Sequence, residues 1–357
     1  MRIGLLGYGV VGKGVYDEAS KFHKVVKVLR RHKEGELFTD DINEVIKEKP
    51  DVIVECLTNT PVAYEYIKMA LEAGIRVVSS NKAIVASHYD ELLKLAKDNK
   101  TNISFEAAVA GGIPWLHALC DLKHNDKINS LKGIMNGTTN YILSKIFDEE
   151  LSYDECLRKA IELGYAEADY SSDVDGIDVK YKTCLSGNVA FNASISLDDI
   201  PAYGIRYLDD YTLEYARAKD YVIKLLGYCD NANAFVLPFF IKKGSNLASI
   251  SLNYNCTIVN TEYMNDITLI GQGAGRYPTA SAIMLDVLRP LDNLATDNRL
   301  NITNDKEMVF YLSSGKGVDQ KYIAKLIPSG AVLTKKLPVH KLKDIVKDGI
   351  FVGGFYD

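Results

Sequence analysis

Apolar and polar positions alternate along this chain in two rhythms. Up to about residue 115, short apolar runs are separated by amphipathic stretches of helical period. The runs fall at 2–6, 25–29, 51–57, 76–80 and 103–109. Continuous apolar runs of this length, bounded by turn-forming residues, are typical of strands buried on both faces of a parallel sheet. Helices are predicted between them at roughly 13–21, 41–46, 62–72 and 88–97. Thr58-Asn59-Thr60-Pro61 supplies one helix start, and Glu72-Ala73-Gly74 one helix end. This strand–helix alternation predicts a doubly wound α/β sheet.

The second rhythm is less regular. A strand is expected at 130–135, then helices at 137–147, 152–163, 178–191 and near 212–226. Strands follow at about 234–241, 247–251, 256–261 and 266–270, which predicts a mixed or antiparallel sheet with helices on one side. Gly271 to Gly275 forms a glycine-rich turn opening a small-residue helix that runs to Leu288. The expected division is a nucleotide-binding domain over 1–125 and a substrate-binding and dimerisation domain over 126–300. Within the latter, 275–300 would pack back on the first domain. Residues 301–357 form a short extension with strand-like pieces at 308–312 and 351–355 and no assigned role.

Candidate chemistry falls on the connections. Gly7-Tyr8-Gly9-Val10-Val11-Gly12 is a G-x-G-x-x-G match with a strand before it and a helix after it. In that context one glycine allows the tight turn, the second admits a pyrophosphate, and the third packs helix on strand. The second strand ends in Arg30-Arg31-His32-Lys33, where an acid would favour NAD; basic residues there could receive the 2′-phosphate of NADP or could be surface charges. Lys82, in Ser80-Asn81-Lys82-Ala83, follows a strand end where open parallel sheets place ligands, although it could simply begin the next helix. Glu106, read as lying within an apolar strand, needs a metal ion, a lysine or backbone as partner, and the glycines after it would suit a monovalent cation. The Gly137-Thr138-Thr139 helix start could hold an anion or be an ordinary cap.

The most concentrated feature is 164–182, with five carboxylates and two lysines. Residues 173–178 read as an extended turn entering a helix, on which Asp178 and Lys182 are i,i+4 neighbours about 5–6 Å apart at Cβ. One reading is a solvated acidic loop with an ion pair worth a few tenths of a kcal/mol. The other is a substrate site, where carboxylates hold an ammonium and a lysine moves the proton accompanying hydride transfer.

Composition narrows the partners. The chain has 357 residues, 25% of them charged, and a formal net charge of −5 with no basic stripe, which argues against nucleic acid. No run approaches 18 apolar residues and no signal peptide is evident, so neither a membrane span nor export is expected. Six cysteines without a C-x-x-C fit a reduced, cytoplasmic protein.

Taken in order, the motifs resemble the homoserine dehydrogenase family over roughly residues 1–290. The most specific pieces are Gly133-Ile134-Met135-Asn136-Gly137-Thr138-Thr139-Asn140-Tyr141-Ile142-Leu143 and the stretch 164–182; the glycine loop, 79–83, 106–114 and 271–286 add to them. The resemblance implies a Rossmann domain with a second α/β domain, a homodimer, and reversible NAD- or NADP-linked interconversion of aspartate 4-semialdehyde and homoserine in threonine and methionine biosynthesis. It implies that Lys182 transfers the proton, with Lys82 and Asp178 beside it. Glu167, Asp173, Asp178, Gly137, Thr138 and Tyr165 would form the substrate set. Gly7, Gly9, Val10, Val11, Gly12, Arg30, Thr58, Asn59, Ser80, Lys82 and Gly275 would form the cofactor set. A sodium ion would be held, largely by backbone, at Glu106, Val109, Gly111 and Ile113.

Three departures from the family pattern stand out: Thr58-Asn59 in place of a glycine pair, Ser79-Ser80 in place of Thr-Ala, and Tyr170 in place of proline. The 301–357 segment is short for an ACT regulatory module, so conventional threonine feedback through one is not expected. Two rivals remain at this stage: a dehydrogenase of another small amino or hydroxy acid, and a cofactor-binding regulatory protein without turnover.

Overall fold

The computed structural model describes residues 1–32, 35–58, 61–165, 169–292, 294 and 298–356. Two compact units divide the chain, the first comprising 1–128, 185–194 and 271–299, the second 129–184, 195–270 and 300–357.

The first unit begins β1 (Arg2–Leu6), α1 (Val10–Ala19), β2 (Lys24–Leu29), β3 (Phe38–Thr39) and α2 (Ile42–Lys47). It continues β4 (Val52–Glu55), α3 (Pro61–Glu72), β5 (Arg76–Ser79), α4 (Lys82–Ser87), α5 (Tyr89–Asp98), β6 (Ile103–Ser104) and α6 (Trp115–Leu122). The six strands lie in the order β3-β2-β1-β4-β5-β6, all parallel. The order reverses between β1 and β4, creating the crevice where such sheets bind dinucleotides. Ile3, Leu5, Val28, Val52, Val54 and Val78 bury one sheet face against Val15 and Ala19 of α1. A helix from late in the chain, Arg276–Leu288, completes this layer with Ala280, Ile283 and Val287.

The second unit is built on β7 (Ile128–Ile134), α7 (Gly137–Asp148), α8 (Tyr153–Glu162), α9 (Ser171–Val174), α10 (Ile177–Phe191) and α11 (Asp210–Ala218). Then come β8 (Tyr221–Asp230), β9 (Ala234–Lys242), β10 (Tyr254–Thr261), β11 (Asn265–Gln272) and, returning to the first unit, α12 (Arg276–Leu288). The C-terminal segment adds β12 (Glu307–Met308), β13 (Phe310–Leu312), β14 (Ile323–Leu326), β15 (Val332–Thr334), β16 (Leu337–Pro338) and β17 (Val352–Phe355). Nine strands form one mixed sheet, β11-β10-β7-β8-β9-β17-β13-β15-β14. Residues 301–357 are therefore no separate module: β17 pairs parallel with β9 and carries β13, β15 and β14 outward. Phe310, Leu312, Val332 and Val352 enter the same core as Phe235, Leu237 and Ile241.

Several sequence expectations need correction. The strand expected over 103–109 stops at Ser104, and Glu106 lies in a 3₁₀ turn. The helix expected to 226 ends at Ala218; Asp220 takes φ +59°, and Tyr221 onward pairs residue by residue with β9. Its apolar run reads equally as buried helix or buried strand, and tertiary pairing decides. Residues 247–251 form no strand: 247–249 are turn, with Leu247 and Ile250 packed into the core. Helices cover both faces of the sheet. Lys224 of β8 reaches α7, whereas Gly227 of the same strand meets Thr183 of α10, and residues three apart on a strand point oppositely. Residues 171–174 are helical, so Asp173 sits on a helical turn rather than an extended one. Among the described residues no helix is long and apolar enough to cross a membrane.

Candidate active site

In the second unit, α7 and the α9–α10 corner bring one polar cluster together. Asn136 caps α7, its Oδ1 accepting from the Thr139 N–H at 2.8 Å and from the Thr139 hydroxyl at 2.9 Å. That fixes the amide with its nitrogen outward, and Nδ2 donates to both Asp173 Oδ1 (2.6 Å) and Asp178 Oδ2 (2.9 Å). Gly176, at φ +80°, breaks the chain between α9 and α10 so that both carboxylates converge on this nitrogen. Lys182, one turn beyond Asp178, donates to Asp178 Oδ2 at 2.8 Å and to the Met135 carbonyl at 2.7 Å. The pair is nearly enclosed, with side chains 11% and 5% exposed. Burial, and then the Asp178 charge, push the Asp173 carboxyl upward. When ionised, two carboxylates against one ammonium leave one negative charge, which favours a cationic ligand group.

Around this cluster, Thr138 is buried and its hydroxyl donates to the Tyr165 carbonyl at 2.6 Å, anchoring the start of the acidic stretch. Gly137 begins α7, and Tyr165 is exposed with its ring 4.9 Å from Tyr141. Glu167 lies outside the described residues.

In the first unit, Gly7 takes φ +99°, and a Cβ on Gly12 would stand 2.2 Å from the Gly7 carbonyl oxygen. A Cβ on Gly9 would meet nothing within 4 Å, which leaves room for an approaching ligand. Gly9 caps α1 without a side-chain hydrogen bond, and Val10 is exposed while Val11 is half-buried. The loop thus presents the N–H groups of a ten-residue helix to an open space, which suits a pyrophosphate. Arg30 sits at the end of β2, its guanidinium 5.0 Å from the Phe38 ring and 5.9 Å from the Tyr8 ring. Thr58 follows β4 and is exposed, whereas Ser80 and Lys82 are half-buried at the end of β5 and the start of α4. Gly275 caps α12 at φ +127°. Asn59 lies outside the described residues.

The match to known proteins follows this layout. The family model described as the homoserine dehydrogenase NAD binding domain matches residues 7–106, and the one described as homoserine dehydrogenase matches 114–288. Homoserine dehydrogenase of Lactococcus lactis is 34% identical over 315 residues, covering 81% of this chain and 74% of that protein. The chain belongs to the homoserine dehydrogenase family. Among solved structures, a homoserine dehydrogenase from Thiobacillus denitrificans aligns at TM-score 0.87 and 26% identity, covering all of this chain and 98% of that one. A hyperthermophilic archaeal homoserine dehydrogenase in complex with NADPH aligns at TM-score 0.71 and 25% identity over 82% of this chain and 99% of that one. Like other homoserine dehydrogenases, this chain is an NAD(P)-dependent oxidoreductase acting on a small-molecule substrate.

Two arrangements were not legible in the sequence, and a third, the partner of Glu106, was open among a metal ion, a lysine and the backbone. Asn136 was legible as a helix cap, but its bridging of Asp173 and Asp178 depends on the corner at Gly176. Asp175, counted among the acidic residues, instead forms a bidentate pair with Arg206 at 2.6 and 2.8 Å. Glu106 is held by backbone, its oxygens accepting the Leu116 and His117 N–H groups at 2.9 and 2.7 Å. Asp286 accepts from the Glu106 N–H at 2.7 Å and pairs with His117 Nε2 at 2.9 Å.

Proposed function

We propose that this homoserine dehydrogenase interconverts aspartate 4-semialdehyde and homoserine with the Asp173–Asn136–Asp178–Lys182 cluster as its substrate site. The bridged pair of carboxylates beside one lysine carries the reading. In it, Asp173 and Asp178, with Glu167, hold the substrate ammonium, and the start of α7 at Gly137 and Thr138 faces its carboxylate end. Asp178 and the Met135 carbonyl fix the Lys182 ammonium. As charge grows on the aldehyde oxygen, that ammonium stabilises it and gives the proton; in the reverse direction Lys182 takes it back. The reading keeps Lys82 as a second functional lysine. The nicotinamide cofactor, when bound, supplies the hydride or receives it. The glycine loop over α1 holds its pyrophosphate, and Arg30 receives a 2′-phosphate, which favours NADP over NAD.

The reading includes a sodium ion held largely by main chain in the loop after Glu106. Ala110 and Gly111 take φ +58° and +61° in succession. Both Glu106 oxygens already accept N–H groups of α6, so its carboxylate serves the loop's shape. A homodimer in the cytoplasm completes the reading.

The test follows absorbance at 340 nm with aspartate 4-semialdehyde and NADPH or NADH in parallel, beside Lys182→Ala. Consumption that collapses in the variant supports the reaction and the lysine together. Binding of both cofactors without consumption by the natural chain would overturn it in favour of a silent cofactor-binding protein.

A further inference from the structure

Glu55 is a buried carboxyl that the scheme above does not use. It ends β4, immediately beyond the point where the sheet order reverses, and it is fully enclosed. Its Oε1 accepts the Leu57 N–H at 2.7 Å, and its Oε2 accepts the Ser79 hydroxyl of β5 at 2.6 Å. Ser79 Oγ in turn accepts the Asn81 N–H at 3.0 Å, and Asn81 Oδ1 accepts the Ile84 N–H at 3.4 Å as the cap of α4. The Glu55 carbonyl accepts the Ser80 N–H at 3.2 Å. One residue thus ties together the turn after β4, the end of β5 and the start of α4, where Lys82 stands. With the pyrophosphate loop after β1, the ends of β4 and β5 belong to the half of the sheet that takes the second, nicotinamide-bearing nucleotide.

We propose that Glu55 is a positioning residue for the nicotinamide half of the cofactor, acting through Leu57, Ser79 and Asn81 to hold both strand-end turns in their binding arrangement. This rests on the reading that the first unit binds NAD(P) at its glycine loop. The carboxylate form is the one that satisfies the relay. It accepts from Ser79, which leaves the Ser79 oxygen to accept from Asn81. A protonated Glu55 must turn its own O–H onto Ser79. That oxygen then accepts two donors, and the Ser79 hydrogen must find another acceptor.

The groups facing the carboxyl are the Leu57 N–H, the Ser79 hydroxyl and the neighbouring Cys56 thiol, itself pushed far up by burial and by the Glu55 charge. No charged side chain contributes to its titration among the described residues. Burial raises the carboxyl to about 7 against the lowering effect of its two hydrogen bonds. Below that pH the relay reverses, and cofactor binding weakens.

The experiment compares the natural protein with Glu55→Gln, which mimics the neutral acid, from pH 6 to 8.5. NADPH affinity is read by fluorescence titration, and Michaelis constants for cofactor and substrate by steady-state rates. At pH 8.5 the variant should bind NADPH about 5–10-fold more weakly with its substrate KM within about 2-fold. At pH 6 the two proteins should converge to within about 2-fold. Ser79→Ala, which cuts the relay without touching the titrating group, should weaken cofactor binding at both pH values. Parallel pH profiles for the natural protein and Glu55→Gln, or a substrate KM that moves as much as the cofactor's, would overturn the proposal. A natural protein that fails to bind NADPH at any pH would instead overturn the cofactor reading beneath it.

Discussion

Replacing Lys182 with methionine separates the chemistry of the cluster from its contribution to stability. The side chain keeps its length and loses its charge. Its Nζ spans Asp178 Oδ2 and the Met135 carbonyl at 2.8 and 2.7 Å. Loss of a positioned proton donor costs about 10²–10⁴-fold in turnover, which is roughly 3–5 kcal/mol of barrier. The same change leaves Asp178, 4% exposed, without its ammonium partner. Removing one member of a buried ion pair destabilises by roughly 3–5 kcal/mol. Taking the lower figure because Asp178 keeps its hydrogen bond from Asn136 Nδ2, Tm falls by roughly 6–12 °C at ~2–4 °C per kcal/mol. The double variant Asp178→Asn/Lys182→Met has no orphaned charge and should recover most of that loss. It should not recover turnover. The assays are a thermal melt and initial rates at saturating cofactor for all three proteins. Turnover in Lys182→Met within about 5-fold of the natural protein would refute the assignment of the lysine. Turnover that returns together with Tm in the double variant would show that the single change acted only through folding.

Three further outcomes follow from the geometry. Lys224 is buried with its ammonium on the Asn140 and Ile250 oxygens at 2.9 and 2.6 Å, and desolvation lowers it to about 8. The folded chain therefore releases this proton near pH 8 while the unfolded chain keeps it to about 10.4. Across that window stability from this group rises with pH, by up to about 3 kcal/mol. Melts from pH 7 to 10 should show the natural protein gaining on Lys224→Met, and a constant difference would refute this. Gly204→Ala would place a Cβ 1.8 Å from the Val174 carbonyl, so the loop that clamps the α9–α10 corner must move. Its expected effect is a lower Tm and a raised substrate KM, with cofactor KM unchanged; normal substrate KM would show that the corner does not depend on that contact. Exchanging sodium chloride for choline chloride at equal ionic strength should lower Tm if the 109–113 loop holds sodium by its carbonyls, and an unchanged melt would remove the cation.

What could be read from the chain depended on whether a signal was local. The first sheet was legible because each buried strand, its turn and its following helix announce themselves within a dozen residues, and the glycine loop needs only its own backbone. The lysine at Asp178 + 4 was legible for the same reason, since helical spacing alone places the pair on one face. The misread strands fail where pairing or packing outside the local window decides. Residues 221–226 carry an apolar run that suits either period, and β9 settles it by pairing along its whole length. Glu106 read as a strand residue whose partner stayed open among a metal ion, a lysine and the backbone, because nothing nearby shows that α6 turns its N–H groups back onto it or that Asp286 arrives from 180 residues away. The C-terminal segment follows the same logic. Its strand-like pieces at 308–312 and 351–355 were legible and became β12, β13 and β17, whereas β14, β15 and β16, two to four residues long, are too short to be distinct in sequence. β17 finds the edge of β9, and β13, β15 and β14 pair outward from it. An edge strand left bare invites pairing with other chains. By covering β9, residues 301–357 complete the sheet of the second unit, which gives that extension a structural reason to be present without requiring it to bind anything.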